Sequence, residues 1–83
     1  MPWSPLLYEK DILKDILEIT QNENRDYITL MELRRIIILR TRVIGEKTIK
    51  NTIKALEDLG YIKLNTDGTF TVNKETITKR LGG

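Results

Sequence analysis

Apolar positions recur at helical spacing in three stretches of the chain and alternate in two shorter ones. Between residues 5 and 20, Leu6, Tyr8, Ile12, Leu13, Ile16, Leu17 and Ile19 fill about half of a helical wheel. Lys10, Asp11, Lys14 and Glu18 occupy the rest, and Ser4-Pro5 supplies a capping residue and a first helical position with no N–H to lose. The arc is wide for one small core. The polar run at 21–25 ends this helix, and 26–28 reads as a very short extended stretch.

A second helix starts at Thr29, where Thr29 and Glu32 have the spacing of a capping box. Leu30, Leu33, Ile36 and Ile37 form its buried stripe. Ile38 and Leu39 lie off that stripe, so the helix either is buried on more than one side or ends near them. Residues 40–45 read as a turn, with Gly45 at or near the cap of a third helix over about 46–59. In that helix Ile49, Thr52, Ile53, Leu56 and Leu59 face inward, with Lys47, Lys50, Asn51, Lys54 and Asp58 opposite them. Gly60 is its stop. Residues 61–64 and 69–72 alternate as strands, with Ile62, Leu64, Phe70 and Val72 on their apolar sides, and Asn65-Thr66-Asp67-Gly68 supplies turn chemistry for a β-hairpin. The last stretch, 73–83, is a short helix or tail with Ile77 and Leu81 facing inward and its end frayed. The predicted fold is mainly α with a small β-hairpin, one domain with its core at about 5–72.

The chain's 83 residues leave no room for a second folded unit, and 40% apolar with 31% charged residues is enough to build a core. The absence of Cys and His removes thiolate and imidazole metal ligands and the commonest general base, so no metal, no cofactor and no enzymatic activity are expected. Glu9, Asp11 and Asp15 read as ordinary exposed carboxylates. Without a signal sequence, or an apolar run approaching about 18 residues, the expected location is cytoplasmic, with no membrane partner.

Charge changes the picture through its distribution. Residues 1–28 hold three Lys/Arg and six Asp/Glu, a net −3; 29–56 hold seven and two, a net +5; 57–83 hold four of each. The positive third coincides with the second and third helices, which points to an anionic partner there.

The stretch Thr-Ile-Lys-Asn-Thr-Ile-Lys-Ala-Leu-Glu-Asp-Leu-Gly-Tyr-Ile, residues 48–62, resembles the recognition helix of small winged helix-turn-helix regulators, which runs directly into a wing. The order helix, short strand, helix, turn, helix, hairpin resembles the same family over about 5–72. The resemblance implies a three-helix core with a C-terminal wing, sequence-specific binding of double-stranded DNA, and a role in transcription regulation with the third helix in the major groove. Twenty positions separate Thr29 from Ile49, about a turn more than the compact motif, so either the second helix is longer or the connection is open. The richness in Ile and Leu, 12 and 11 against one Ala, resembles small archaeal, viral or plasmid regulators.

On this reading Lys47, Lys50 and Lys54 meet phosphates or guanine, Asn51 pairs with adenine, and Thr48 touches a thymine methyl or a phosphate. The N-terminus of the second helix, at Thr29 and Leu30, offers backbone N–H groups to a phosphate. Arg34, Arg35, Arg40 and Arg42 clamp the DNA backbone or, on the competing reading, pair with Glu32 or with the acidic first helix. Lys63 is the one cation near a wing whose tip carries Asp67, so the wing contributes little. The wide apolar arc of the first helix, with Trp3, Leu7, Ile77 and Leu81, is read as the seam of a homodimer, which doubles the DNA contacts. The alternative function is a winged-helix adaptor that binds protein without reading DNA.

Overall fold

In the computed structural model, which describes residues 8–82, the chain runs α1 (Glu9–Asn22), β1 (Tyr27–Ile28), α2 (Leu30–Thr41), α3 (Glu46–Asp58), β2 (Ile62–Leu64), β3 (Phe70–Val72) and α4 (Lys74–Arg80). The expected start at Ser4-Pro5, together with Trp3, Leu6 and Leu7, lies outside the described residues. The α1 helix runs two residues past the expected Thr20, whose hydroxyl donates to the Ile16 and Leu17 carbonyls at 3.1 and 3.0 Å. Asn24, at a φ of 53°, then turns the chain into β1.

The capping box forms at Thr29. The Glu32 N–H donates to the Thr29 hydroxyl at 3.2 Å, and the Thr29 N–H donates to the Glu32 carboxylate at 3.0 Å. Arg25 closes on the same carboxylate from the loop before it. The Arg25 guanidinium, followed by the Thr29 N–H and hydroxyl, holds the Glu32 carboxyl down at about 2, against an ordinary 4.5. Because the folded-state value is the lower one, this contribution to stability is complete above pH 4.5 and drains away as pH falls toward 2. Glu32→Gln is therefore expected to flatten the acid limb of a pH-dependent unfolding series across that window. Thr29→Ala is expected to cost about 1 kcal/mol by removing the cap.

The question of helix length or open connection is settled by α2, which continues to Thr41 and leaves four residues, 42–45, before α3. Arg42 ends the helix in the left-handed region at a φ of 61°, its N–H donating to the Ile38 carbonyl at 2.8 Å. The α3 helix closes in a Schellman arrangement that needs the positive φ of 84° at Gly60. There the Tyr61 N–H donates to Leu56 at 3.1 Å and the Gly60 N–H to Glu57 at 3.0 Å, with Leu56 and Tyr61 both buried.

The hairpin is part of a larger sheet than expected. The short stretch before α2 is a third strand, and the antiparallel order is β1-β3-β2, with Ile28 opposite Phe70 and Ile62 opposite Val72. The wholly buried Ile28 makes this pairing favourable. The core draws on every helix: Ile12, Leu13 and Ile16 of α1, Leu33 and Ile37 of α2, Ile49 and Leu56 of α3, and Ile77 of α4 meet beneath the sheet residues Ile28, Phe70 and Val72.

Four expectations about burial are corrected. Leu30, placed in the buried stripe of the second helix, is the first residue of α2 and is 45% exposed. Leu59, placed on the inner side of the third helix, is the residue on which α3 ends and is 46% exposed. Leu64 faces the same side as Ile62 but sits at the outer end of an edge strand and is 53% exposed. Glu9, read as a surface carboxylate, is only 2% exposed. It accepts from the Tyr61 hydroxyl at 3.2 Å and from the Arg80 guanidinium, so one buried carboxylate ties α1 to the start of β2 and to α4. None of the described helices is long and apolar enough to cross a membrane.

Candidate nucleic-acid interface

The α3 helix is held by an inner face that leaves it little freedom to rotate. Ile49 and Thr52 are fully buried, Ile53 and Leu56 nearly so, and the Thr52 hydroxyl returns to the Thr48 carbonyl at 2.8 Å. Anchoring this side sends positions 47, 50, 51 and 54 outward in an i, i+3, i+4, i+7 row about 10 Å long. Lys47, Lys50, Asn51 and Lys54 are all exposed. None of the three lysines forms an ion pair with a described residue.

The carboxylate that heads the same helix is neutralised from outside the row. Arg34 of α2 grips Glu46 with both guanidinium nitrogens, one at 2.8 Å, which lowers the Glu46 carboxyl below its ordinary range and raises Arg34. The bridge also fixes the first turn of α3 against α2. Gly45 precedes that turn without a side-chain cap, and a Cβ there would meet nothing within 4 Å. The first turn of α3 therefore starts without a side-chain cap.

The remaining candidates are dispersed. Thr48 is half-buried at the margin of the row. Arg40 is committed elsewhere, donating to both Asp15 oxygens at 2.7 and 2.8 Å, which raises its pKa. This is the pairing with the acidic first helix that the competing reading expected. Arg42 is exposed in the α2–α3 connection, with no ion pair to a described residue. Lys63 is exposed on β2 opposite Thr71 and lines a groove with Glu57 and Lys74, apart from the row on α3. The N-terminus of α2 is closed by its own capping box, so the Thr29 N–H, expected to reach a phosphate, is already satisfied. At the wing tip Asp67 accepts from the Thr69 N–H and hydroxyl at 3.0 and 2.6 Å, and these bonds lower its carboxyl and keep the tip anionic.

Of the seven cations in 29–56, Arg34 and Arg40 are thus paired, while Arg35, Arg42, Lys47, Lys50 and Lys54 are not, among the described residues. The Arg34–Glu46 bridge escapes sequence reasoning, because an ion pair between helix surfaces leaves no periodic trace. Glu9 does leave one: it stands at i−3, i−4 and i−7 from Ile12, Leu13 and Ile16, at the centre of the buried stripe.

Among the described residues there is no cluster of three or more acidic side chains able to hold a metal ion. Compared with known proteins, the chain matches no family model, no characterised protein and no solved structure.

Proposed function

We propose that the chain is a winged helix-turn-helix protein that binds double-stranded DNA in a sequence-specific manner, with α3 in the major groove, and acts as a small transcription regulator. The observation that carries this reading is the row Lys47, Lys50, Asn51 and Lys54, exposed on a helix whose other side is locked into the core. The order of elements and the β1-β3-β2 sheet agree with the resemblance of residues 48–62 to a recognition helix. A helix about 10–12 Å across enters a major groove about 12 Å wide. Once there, ammonium groups release counterions from phosphates, and a carboxamide reads adenine through one donor and one acceptor.

The test is a titration of duplex binding against salt. Affinity is expected to fall steeply and linearly on logarithmic axes, with a slope of about −0.9 for each phosphate neutralised. Asn51→Ala is expected to cost about 1–3 kcal/mol on the preferred sequence and to relax the preference at one base pair, whereas Lys54→Ala weakens all sequences alike. Equal losses on every sequence for Asn51→Ala would remove it as the reading residue. The second reading, a protein-binding adaptor, is favoured by Leu59 and Leu64, which leave apolar surface open around the wing. Absence of duplex binding at low salt would select it.

A further inference from the structure

Helix α2 carries a second apolar stripe that its own fold does not cover. Met31 is 72% exposed and Leu39 56%, and with the half-buried Ile38 they line an open groove crossed by Arg34 and Arg35. Beside it lies a second groove between α1 and α2, lined by Arg35 and Leu39 on one side and by Glu18 and Ile19 of α1 on the other. By contrast, the apolar arc of α1 is consumed within the chain: Ile12, Leu13 and Ile16 are buried, and Leu17 and Ile19 pack against the core. Trp3, Leu6 and Leu7 lie outside the described residues; among the described ones, α2 rather than α1 is the helix that leaves large apolar side chains exposed.

The charges on this face select its occupant. Asp15 is taken by Arg40, Glu32 by Arg25, and Arg34 by Glu46. Glu18 and Arg35, both exposed, form no ion pair with a described residue. The two helices run in opposite directions, because Asp15 meets Arg40 while Arg25, just past the end of α1, meets Glu32 near the start of α2. Counted from these two bridges, Glu18 lies level with residues 37–39, within about a turn of Arg35, and both line the groove between the helices. An acidic partner would satisfy only the arginine and a basic one only the glutamate, whereas a second copy satisfies both.

We infer that this face joins two copies of the chain about a two-fold axis, with the α2 helices antiparallel, Met31 of each against Leu39 of the other, and Arg35 of each paired with Glu18 of the other. Such a contact is self-complementary, as a two-fold interface requires. The contact centres on α2, whose twelve residues span about 18 Å, with the edge of α1 beside it, so it falls short of the roughly 800 Å² per partner of a stable complex. The dimer is accordingly weak and concentration-dependent. It shares no residue with the row on α3, so each dimer carries two such rows.

The experiment is sedimentation velocity without DNA, from about 10 μM to about 1 mM, a range that brackets weak association. Being free of DNA, it separates failure of this interface from failure of the DNA-binding reading. The mass is expected to rise from 9.7 kDa toward twice that value. Arg35→Glu and Glu18→Arg should each weaken the dimer by about tenfold or more, and the double reversal should recover it. Leu39→Asp should leave a monomer. All three positions are exposed, and far-UV circular dichroism verifies that each variant keeps its helices. A chain that stays monomeric throughout overturns the inference. So does a dimer indifferent to Leu39→Asp and Arg35→Glu, which would put the seam elsewhere, or a double reversal that recovers nothing.

Discussion

Replacing Lys47, Lys50 and Lys54 together with alanine is expected to reduce the salt dependence of duplex binding by about 2.7 logarithmic units, three phosphates at about 0.9 each. Affinity at low salt should fall by about 10²-fold or more, since the net charge of 29–56 drops from +5 to +2 and that of the whole chain from +2 to −1. The fold should be untouched, because all three side chains are exposed and none is ion-paired to a described residue. Fluorescence anisotropy on a labelled duplex at four or five salt concentrations measures both quantities. Arg40→Ala is the internal control: its guanidinium is held by Asp15, so it should leave the salt slope nearly unchanged. If Arg40→Ala flattened the slope as much as the triple lysine variant does, the cations that meet phosphate would be distributed around the molecule, and α3 would lose its special place.

The elements most legible in the sequence are those whose signals are local. The Thr29–Glu32 box and the Gly60 stop each concern groups a few residues apart, and both appear in the structure with the hydrogen bonds their spacing predicts. The outward row of α3 was equally readable, because one strongly apolar side determines the other. What escaped was set by partners distant in the chain. The short strand at 26–28 is readable, but not its partner: β3, more than forty residues later, supplies the hydrogen bonds of β1. For Arg40 the sequence leaves two readings open, a DNA-backbone clamp or a pair with the first helix, and only the antiparallel packing of α1 on α2 brings Asp15 to it. Leu39 and Ile38 raised a correct question, since they lay off the buried stripe; they belong to a second face that the chain leaves open.

The same distinction governs the largest effect expected on stability, which lies in a segment the sequence left as a short helix or a tail. Seven residues make too short a helix to persist in water alone, so α4 depends on what it buries. Ile77 is wholly enclosed, and Ile77→Ala is expected to cost about 2–5 kcal/mol, a large share of the roughly 5–15 kcal/mol that holds a domain folded. Its melting temperature should fall by about 10 °C or more, as read by circular dichroism. The ion pair beside it predicts an asymmetry that a packing loss alone does not produce. Arg80 keeps 46% of its side chain in solvent, whereas Glu9 keeps 3%. Glu9→Gln leaves a guanidinium free to turn into water, while Arg80→Gln strands a buried carboxylate whose only other side-chain partner among the described residues is the Tyr61 hydroxyl. The arginine variant should therefore melt well below the glutamine-for-glutamate variant, and the double variant, with no stranded charge, should melt above the arginine single. Equal losses from the two singles would mean that Glu9 reaches water once Arg80 is gone, and that α4 is secured by Ile77 rather than by the charge it covers.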